Sequence, residues 1–280
     1  MGPTPVVSTA WLAENIGKPG VVVFDCTKYL PGEAPDGHTE FLNSHIPGAR
    51  FFDIDVVADA DAELPHTVPS AARFARVIGE MGVQNSDFVV FYDQKGLASA
   101  ARGWWLMGLF GHDQAAVLDG GLPKWVAEGN PTEAGPPKPA EPRLFRPDFR
   151  ATRLRGIGDM RANLASHEAL VVDARAAGRF HGTLPEPRPG MRAGHIPGAI
   201  NIPYGTLLGP DQTLLPAATL REKFAAAGID GSRPVVTSCG SGVTATILTL
   251  AMTVAGLPAG AVYDGSWSEW GGRPDTPLET

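Results

Sequence analysis

The chain repeats itself, and no other feature of the sequence restricts its fold as tightly. HIPGAR at residues 45–50 returns as HIPGAI at 195–200, LDGGLPKW at 118–125 returns as YDGSWSEW at 263–270, and VVVFD ending at Asp25 echoes LVVD ending at Asp173. The offsets are 150, 145 and 148, and the landmarks keep their order. A duplicated domain explains the words and the spacing together, while two copies are too few to stack as a solenoid. The length of 280 residues fits two domains of ordinary size. Between the copies, residues 130–147 read NPTEAGPPKPAEPRLFRP. Such proline density excludes helix and central strand and predicts an extended surface path, with the arginines of 143–161 docked on acidic surface. The expected organisation is a domain over 1–130, a Pro-rich linker over 131–150 and a second domain over 151–280.

Within each copy, short apolar runs alternate with helical patterns. In the second, 170–172, 234–238 and 261–263 read as buried strands, and 220–227 and 243–255 as helices. Strands alternating with helices predict an α/β fold, a parallel sheet with helices on both faces. Ligands of such sheets bind beyond the carboxyl ends of the strands. Cys239 stands at one of those ends.

Composition removes whole classes of function. The formal charge is −7, whereas nucleic-acid and membrane-surface proteins need a basic footprint. Neither partner is expected. Two cysteines, Cys26 and Cys239, exclude a disulfide scaffold and an all-Cys zinc site. Nothing in the sequence suggests a metal or an organic cofactor. The opening MGPTPVVSTAWLAEN lacks a basic segment followed by an apolar one, so no signal peptide is visible. The most apolar stretch, 247–257, is too short to span a bilayer and reads as a buried helix. The expected setting is soluble and reducing, with the cytoplasm as the simplest compartment and an organelle left open.

The segment PVVTS-CGSGVTA-TILTLAM reads strand, Gly-rich loop, helix. Gly240 and Gly242 permit a tight backbone that aims N–H groups, those of Val243 and Thr244 among them, at one point. The following helix adds its positive end, and a thiol placed there favours its thiolate. An inert core thiol would not need this loop. Three rival motifs pass through the same residues. The dinucleotide fingerprint GSGVTA lies too near the end of the chain for a second mononucleotide half. A Cys phosphatase loop would need Arg where Ala245 stands. A serine elbow around Ser241 would need Gly where Cys239 stands. In the first copy, FVVFYDQKGLAS puts Asp93 at the place of Cys239. A carboxylate cannot do thiol chemistry, so this copy is expected to be catalytically silent. Cys26 ends a buried strand and reads as a small core residue.

Tandem HIPGA segments, WW-x4-FGH at 104–112, an Asp in the first loop and a Cys in the second resemble the rhodanese-type sulfurtransferases over nearly the whole chain. The loop CGSGVTA resembles the 3-mercaptopyruvate branch; the thiosulfate branch carries basic residues just after its Cys, as in CRKGVT. The resemblance implies a persulfide mechanism. Cys239 takes sulfur from 3-mercaptopyruvate, releases pyruvate and passes the sulfur to cyanide, glutathione or thioredoxin. It implies that Arg179 and Arg188, around the TLPEPR segment, hold the donor's carboxylate and keto oxygen. It implies a relay in which Asp55 orients His66 and His66 polarises Ser241. Two alternatives stay open, a thiosulfate:cyanide sulfurtransferase and a non-catalytic persulfide carrier or interaction module. His45 and His195 recur in both copies and read as turn or packing elements, and His112 as structural. Trp267 is open between pocket lining and core.

Overall fold

Runs such as VVVFD and FVVFY have no polar alternation, so neither face of the strand they form can remain in water. Each becomes a strand of a parallel sheet. The computed structural model describes residues 4–33 and 36–280; the first three residues of the amino-terminal stretch read for a signal peptide lie outside them. The chain divides into two compact units. Unit 1 is Met1–Ala60, Val68–Arg150 and Gly209–Leu214; unit 2 is Asp61–Thr67, Ala151–Leu208 and Leu215–Thr280. Each unit therefore takes in one short loop from the other half of the sequence.

In unit 1 the strands are β1 (Val6–Val7), β2 (Val21–Asp25), β3 (Arg50–Phe51), β4 (Phe88–Tyr92) and β5 (Ala115–Leu118), in the order β1-β5-β4-β2-β3. In unit 2 they are β6 (Leu154–Arg155), β7 (Leu170–Asp173), β8 (Ile200–Asn201), β9 (Val235–Ser238) and β10 (Ala261–Tyr263), in the order β6-β10-β9-β7-β8. Every pairing is parallel, and the two orders are the same. The duplication seen in the sequence is a duplication of topology. Asp93 follows β4 and Cys239 follows β9, the middle strand of each sheet. The cores are built alike, from Val23, Val90, Ala116 and Trp125 in one unit and Val171, Val236, Tyr263 and Trp270 in the other.

The helices follow the same logic. Ala71–Glu80 buries Phe74, Val77 and Ile78, one stripe at i, i+3, i+4 spacing, and Ser70 caps it by accepting from Arg73 N–H. Two expected helices shift. The helix expected over 220–227 is Ala217–Ala226, because Pro216 starts it one turn earlier on residues that carry no apolar signal. The helix expected from 243 begins at Ala245, because Gly242 is left-handed at φ +76° and the chain must leave that turn first. Among the described residues no helix is long and apolar enough to cross a membrane.

Residues 131–147 form neither helix nor strand. Charge alone does not hold this segment. Phe145 is buried against Phe74 and His112, Arg143 N–H donates to Gly79 O, and Arg150 forks onto Asp113. The HIPGA histidines are packing elements. His45 stacks on Phe41 and His195 on Phe180, at centroid distances of 4.1 and 3.7 Å, and each Nδ1 lies against the carbonyl of that same Phe. Each backbone also bridges to an acid near the end of its copy, Glu133 or Glu279.

The carboxylates that end β2 and β7 meet different fates. Asp173 is matched by Arg175. Asp25 accepts from Thr27 and Gln94, yet burial, with the Asp93 charge adding to it, pushes its carboxyl up to about 7. A folded value above the unfolded one means stability is fully present below pH 4 and is lost as pH rises to about 7. Replacing Asp25 with Asn removes this loss. The stability of the variant relative to wild type should climb between pH 4 and 7 and level off above, by an amount on the order of a few kcal/mol. A difference independent of pH, measured by thermal unfolding across that range, would count against it.

Candidate functional site

The loop between β9 and the helix Ala245–Val254 follows from its residues. Gly242 supplies the left-handed turn, and Cys239 leaves the strand with 2% of its surface exposed. Its carbonyl accepts from Trp267 N–H at 2.9 Å and its N–H donates to Ser266 Oγ at 3.1 Å. Gly240 O accepts from both Ser268 N–H and Ser268 Oγ–H, at 2.8 and 2.7 Å. The helix Ser266–Trp270 thus fastens the loop from beneath.

The first copy shows what such a turn does to a negative charge. Asp93 Oδ2 accepts from the N–H groups of Ala98, Ser99 and Ala100 at 2.8, 2.8 and 2.9 Å, and Oδ1 from Lys95 N–H at 3.0 Å. The three donors to Oδ2 lead into the helix Ala100–Leu109, at whose start N–H groups have no partner within the helix. Counted from the helix start, Val243, Thr244 and Ala245 hold the same places in unit 2.

His66 belongs to unit 2 through the loop Asp61–Thr67, and its Nδ1 lies 2.9 Å from Ser241 Oγ. Both residues are buried at 6% exposure. His66 takes a left-handed backbone, φ +62°. Gln212, in the loop that unit 1 takes in, has the same φ and packs on Gly96, where a Cβ would stand 2.3 Å from Gln212 Cβ. Asp55 lies in unit 1 on the short helix Ile54–Val57, exposed and hydrogen-bonded to Lys28.

Arg179 borders the Cys loop, since a Cβ on Gly240 would lie 3.1 Å from its Nη2. Glycine at 240 leaves that guanidinium its place. Arg188 is half-buried in the segment that follows. Sequence reasoning missed what holds Arg179. Glu186, with its side chain 5% exposed, accepts from Arg179 Nη2 at 2.5 Å and from Arg175 Nη1 at 2.7 Å. Arg175 is fully buried, forks onto Asp173, donates to Gly194 O and lies 4.4 Å over the Trp267 ring. Trp267 is therefore core, but core in backbone contact with Cys239. The signal for Glu186 was available, an acid inside TLPEPR between two arginines that it could pair.

Cys26 is buried, with Sγ 3.7 Å from Ser99 O, and burial holds its thiol well above the ordinary range. His112 is buried beside Phe145 with its Nε2 against Gln114 O at 3.1 Å, and burial lowers its pKa. Among the described residues no three His, Cys, Asp or Glu side chains gather as a metal site would require.

The rhodanese-like domain model matches residues 8–128 and 157–273. Human 3-mercaptopyruvate sulfurtransferase is 41% identical over 95% of this chain and 91% of its own, and bovine thiosulfate sulfurtransferase is 40% identical with the same coverage. The crystal structure of SseA from Escherichia coli, a 3-mercaptopyruvate sulfotransferase, superposes with a TM-score of 0.85 at 34% identity, over 95% of this chain and 99% of that one. Both halves of the chain are rhodanese-like domains, and the chain belongs to the rhodanese-type sulfurtransferases.

Proposed function

We propose that this protein moves sulfur from 3-mercaptopyruvate, through a persulfide on Cys239, to a thiol or cyanide. One observation carries the reading: the buried His66–Ser241 pair, 2.9 Å apart, lies two residues from Cys239, with the Arg179 guanidinium beside Gly240. A proton relay, a thiol and a carboxylate-binding cation then border one loop.

In this reading Arg179 and Arg188 hold the donor's carboxylate and keto oxygen, for which a planar fork is suited. The Cys239 thiolate attacks the donor sulfur. The S–S bond forms as the C–S bond breaks, and the electron pair goes to the carbon of pyruvate enolate. That carbon takes one proton, supplied through Ser241 and His66, with Asp55 as the orienting acid. The loop N–H groups of Gly240, Gly242, Val243 and Thr244 receive the sulfur anion, as the matching turn receives Asp93. An acceptor then attacks the outer sulfur and the Cys239 thiolate leaves; cyanide, glutathione or a dithiol such as thioredoxin would serve. The first copy, with Asp93 in the nucleophile's place, is silent. Both thiols are free, which suits the cytoplasm. Loop chemistry favours this donor over thiosulfate, because the two residues after Cys239 are Gly240 and Ser241 and carry no cation for a dianion.

A donor panel tests this. Pyruvate should be released over many turnovers from 3-mercaptopyruvate, with kcat/KM well above that for thiosulfate. Thiosulfate winning would overturn the donor, and a persulfide that forms without turnover would mark a carrier. The relay has its own test. His66→Asn tolerates the left-handed backbone but cannot titrate, so kcat should fall about a hundredfold with KM little changed. An unaltered kcat would remove His66 from the mechanism.

A further inference from the structure

Ser266 is the one non-glycine residue among the described residues that is both left-handed, at φ +49°, and completely buried. Side chains are rarely accepted in that conformation, so something must hold a serine there. The other copy supplies an internal control. At the matching place in LDGG stands Gly121, at φ +53°, the residue such a backbone prefers. The frame around the two positions is the same. Leu122 N–H donates to Asp93 O at 3.1 Å in unit 1, as Trp267 N–H donates to Cys239 O at 2.9 Å in unit 2. The turn therefore forms without a hydroxyl, and glycine would serve it better.

What serine adds is a clamp on the nucleophile's backbone. Its Oγ accepts from Cys239 N–H at 3.1 Å and donates to Tyr263 O at 2.8 Å, at the end of β10. Consecutive residues, Ser266 and Trp267, thereby grip Cys239 by its N–H and its C=O. The peptide plane at the strand exit is fixed from both sides. We infer that Ser266 is a positioning residue for Cys239, placed against backbone preference in the one copy whose turn carries a thiol. The inference rests on Cys239 being the nucleophile proposed above. It goes beyond that reading by assigning the orientation of the thiol to a residue on a different element.

Two variants test it. Ser266→Gly installs the residue found in the first copy, relieving the backbone while removing the hydroxyl. Its melting temperature should equal or exceed that of wild type, kcat with 3-mercaptopyruvate should fall about tenfold, and KM should stay within twofold. Ser266→Ala loses the hydroxyl but keeps the strained backbone, so it should show the same loss of kcat with a lower melting temperature. A structural role alone predicts that glycine keeps activity as well as stability. A Ser266→Gly kcat within twofold of wild type overturns the inference, as does a loss of kcat that comes only with a lowered melting temperature. The alkylation rate of Cys239 by iodoacetamide, read by mass, is a second measure and should fall in parallel in both variants. It separates two failures. If wild-type protein transfers no sulfur, the functional reading falls, while alkylation still judges Ser266, and equal rates in wild type and Ser266→Gly overturn its role.

Discussion

Cys239→Ser is expected to form no persulfide and to release pyruvate more slowly by about four orders of magnitude or more, the scale set by loss of a covalent nucleophile. The exchange is close to isosteric. The side chain sits in a loop whose backbone is held by Ser266, Trp267 and Ser268 rather than by the sulfur, so folding should survive. The measurement is intact mass after incubation with 3-mercaptopyruvate, looking for one added sulfur atom. The chain has only one other place for it, Cys26, which is fully buried and held in its thiol form by that burial. A serine variant that still gains a sulfur atom would therefore move the chemistry to Cys26, and one that still releases pyruvate at the wild-type rate would remove covalent catalysis altogether.

The fold was legible because duplication writes each structural word twice. VVVFD and LVVD predicted two equivalent buried strands, and β2 and β7 occupy the same place in two sheets of identical order. Cys239 was legible because a strand, a Gly-rich loop and a helix are consecutive in sequence, so their junction can be read locally. The two-residue strands β1, β3, β6 and β8 were not, since strands that short carry too few side chains to show a period. The exchange of the loops 61–67 and 209–214 was also invisible, being a property of where the chain docks rather than of its local preference. One trace of it did exist: His66 and Gln212 stand 146 apart, at the spacing of the duplication, and share a left-handed backbone. Ser266 was in plain sight within DGSW against DGGL, but aligned words do not reveal that the glycine is the relaxed residue and the serine the strained one. Arg175 and Glu186 were missed for another reason. Charges are read as surface by default, and only burial shows that these two act on each other.

That pair leads to the largest expected effect on stability. Arg175→Ala should lower the stability of unit 2 by roughly 3–5 kcal/mol, the cost of removing one partner from a buried ionic group. The Arg175 side chain is 0% exposed, and the acids it meets, Asp173 and Glu186, are 3% and 5% exposed. Truncation leaves Asp173 without its fork and Glu186 with Arg179 alone, and it opens a void against the Trp267 ring. For a unit of this size the loss corresponds to a melting temperature about 10 °C lower or more. Arg175→Lys should recover only part of it, because one ammonium cannot reach Asp173, Glu186 and Gly194 O at once as the planar fork does. Activity should suffer beyond what unfolding explains. Glu186 is what holds Arg179 at the edge of the Cys loop, so a donor held by its carboxylate should show a raised KM in the fraction that remains folded. Thermal unfolding followed by fluorescence, with kinetics taken well below the transition, checks both. If Arg175→Ala melts within 2 °C of wild type and keeps its KM, the buried chain from Asp173 through Arg175 and Glu186 to Arg179 is neither a structural support nor a tether for the site.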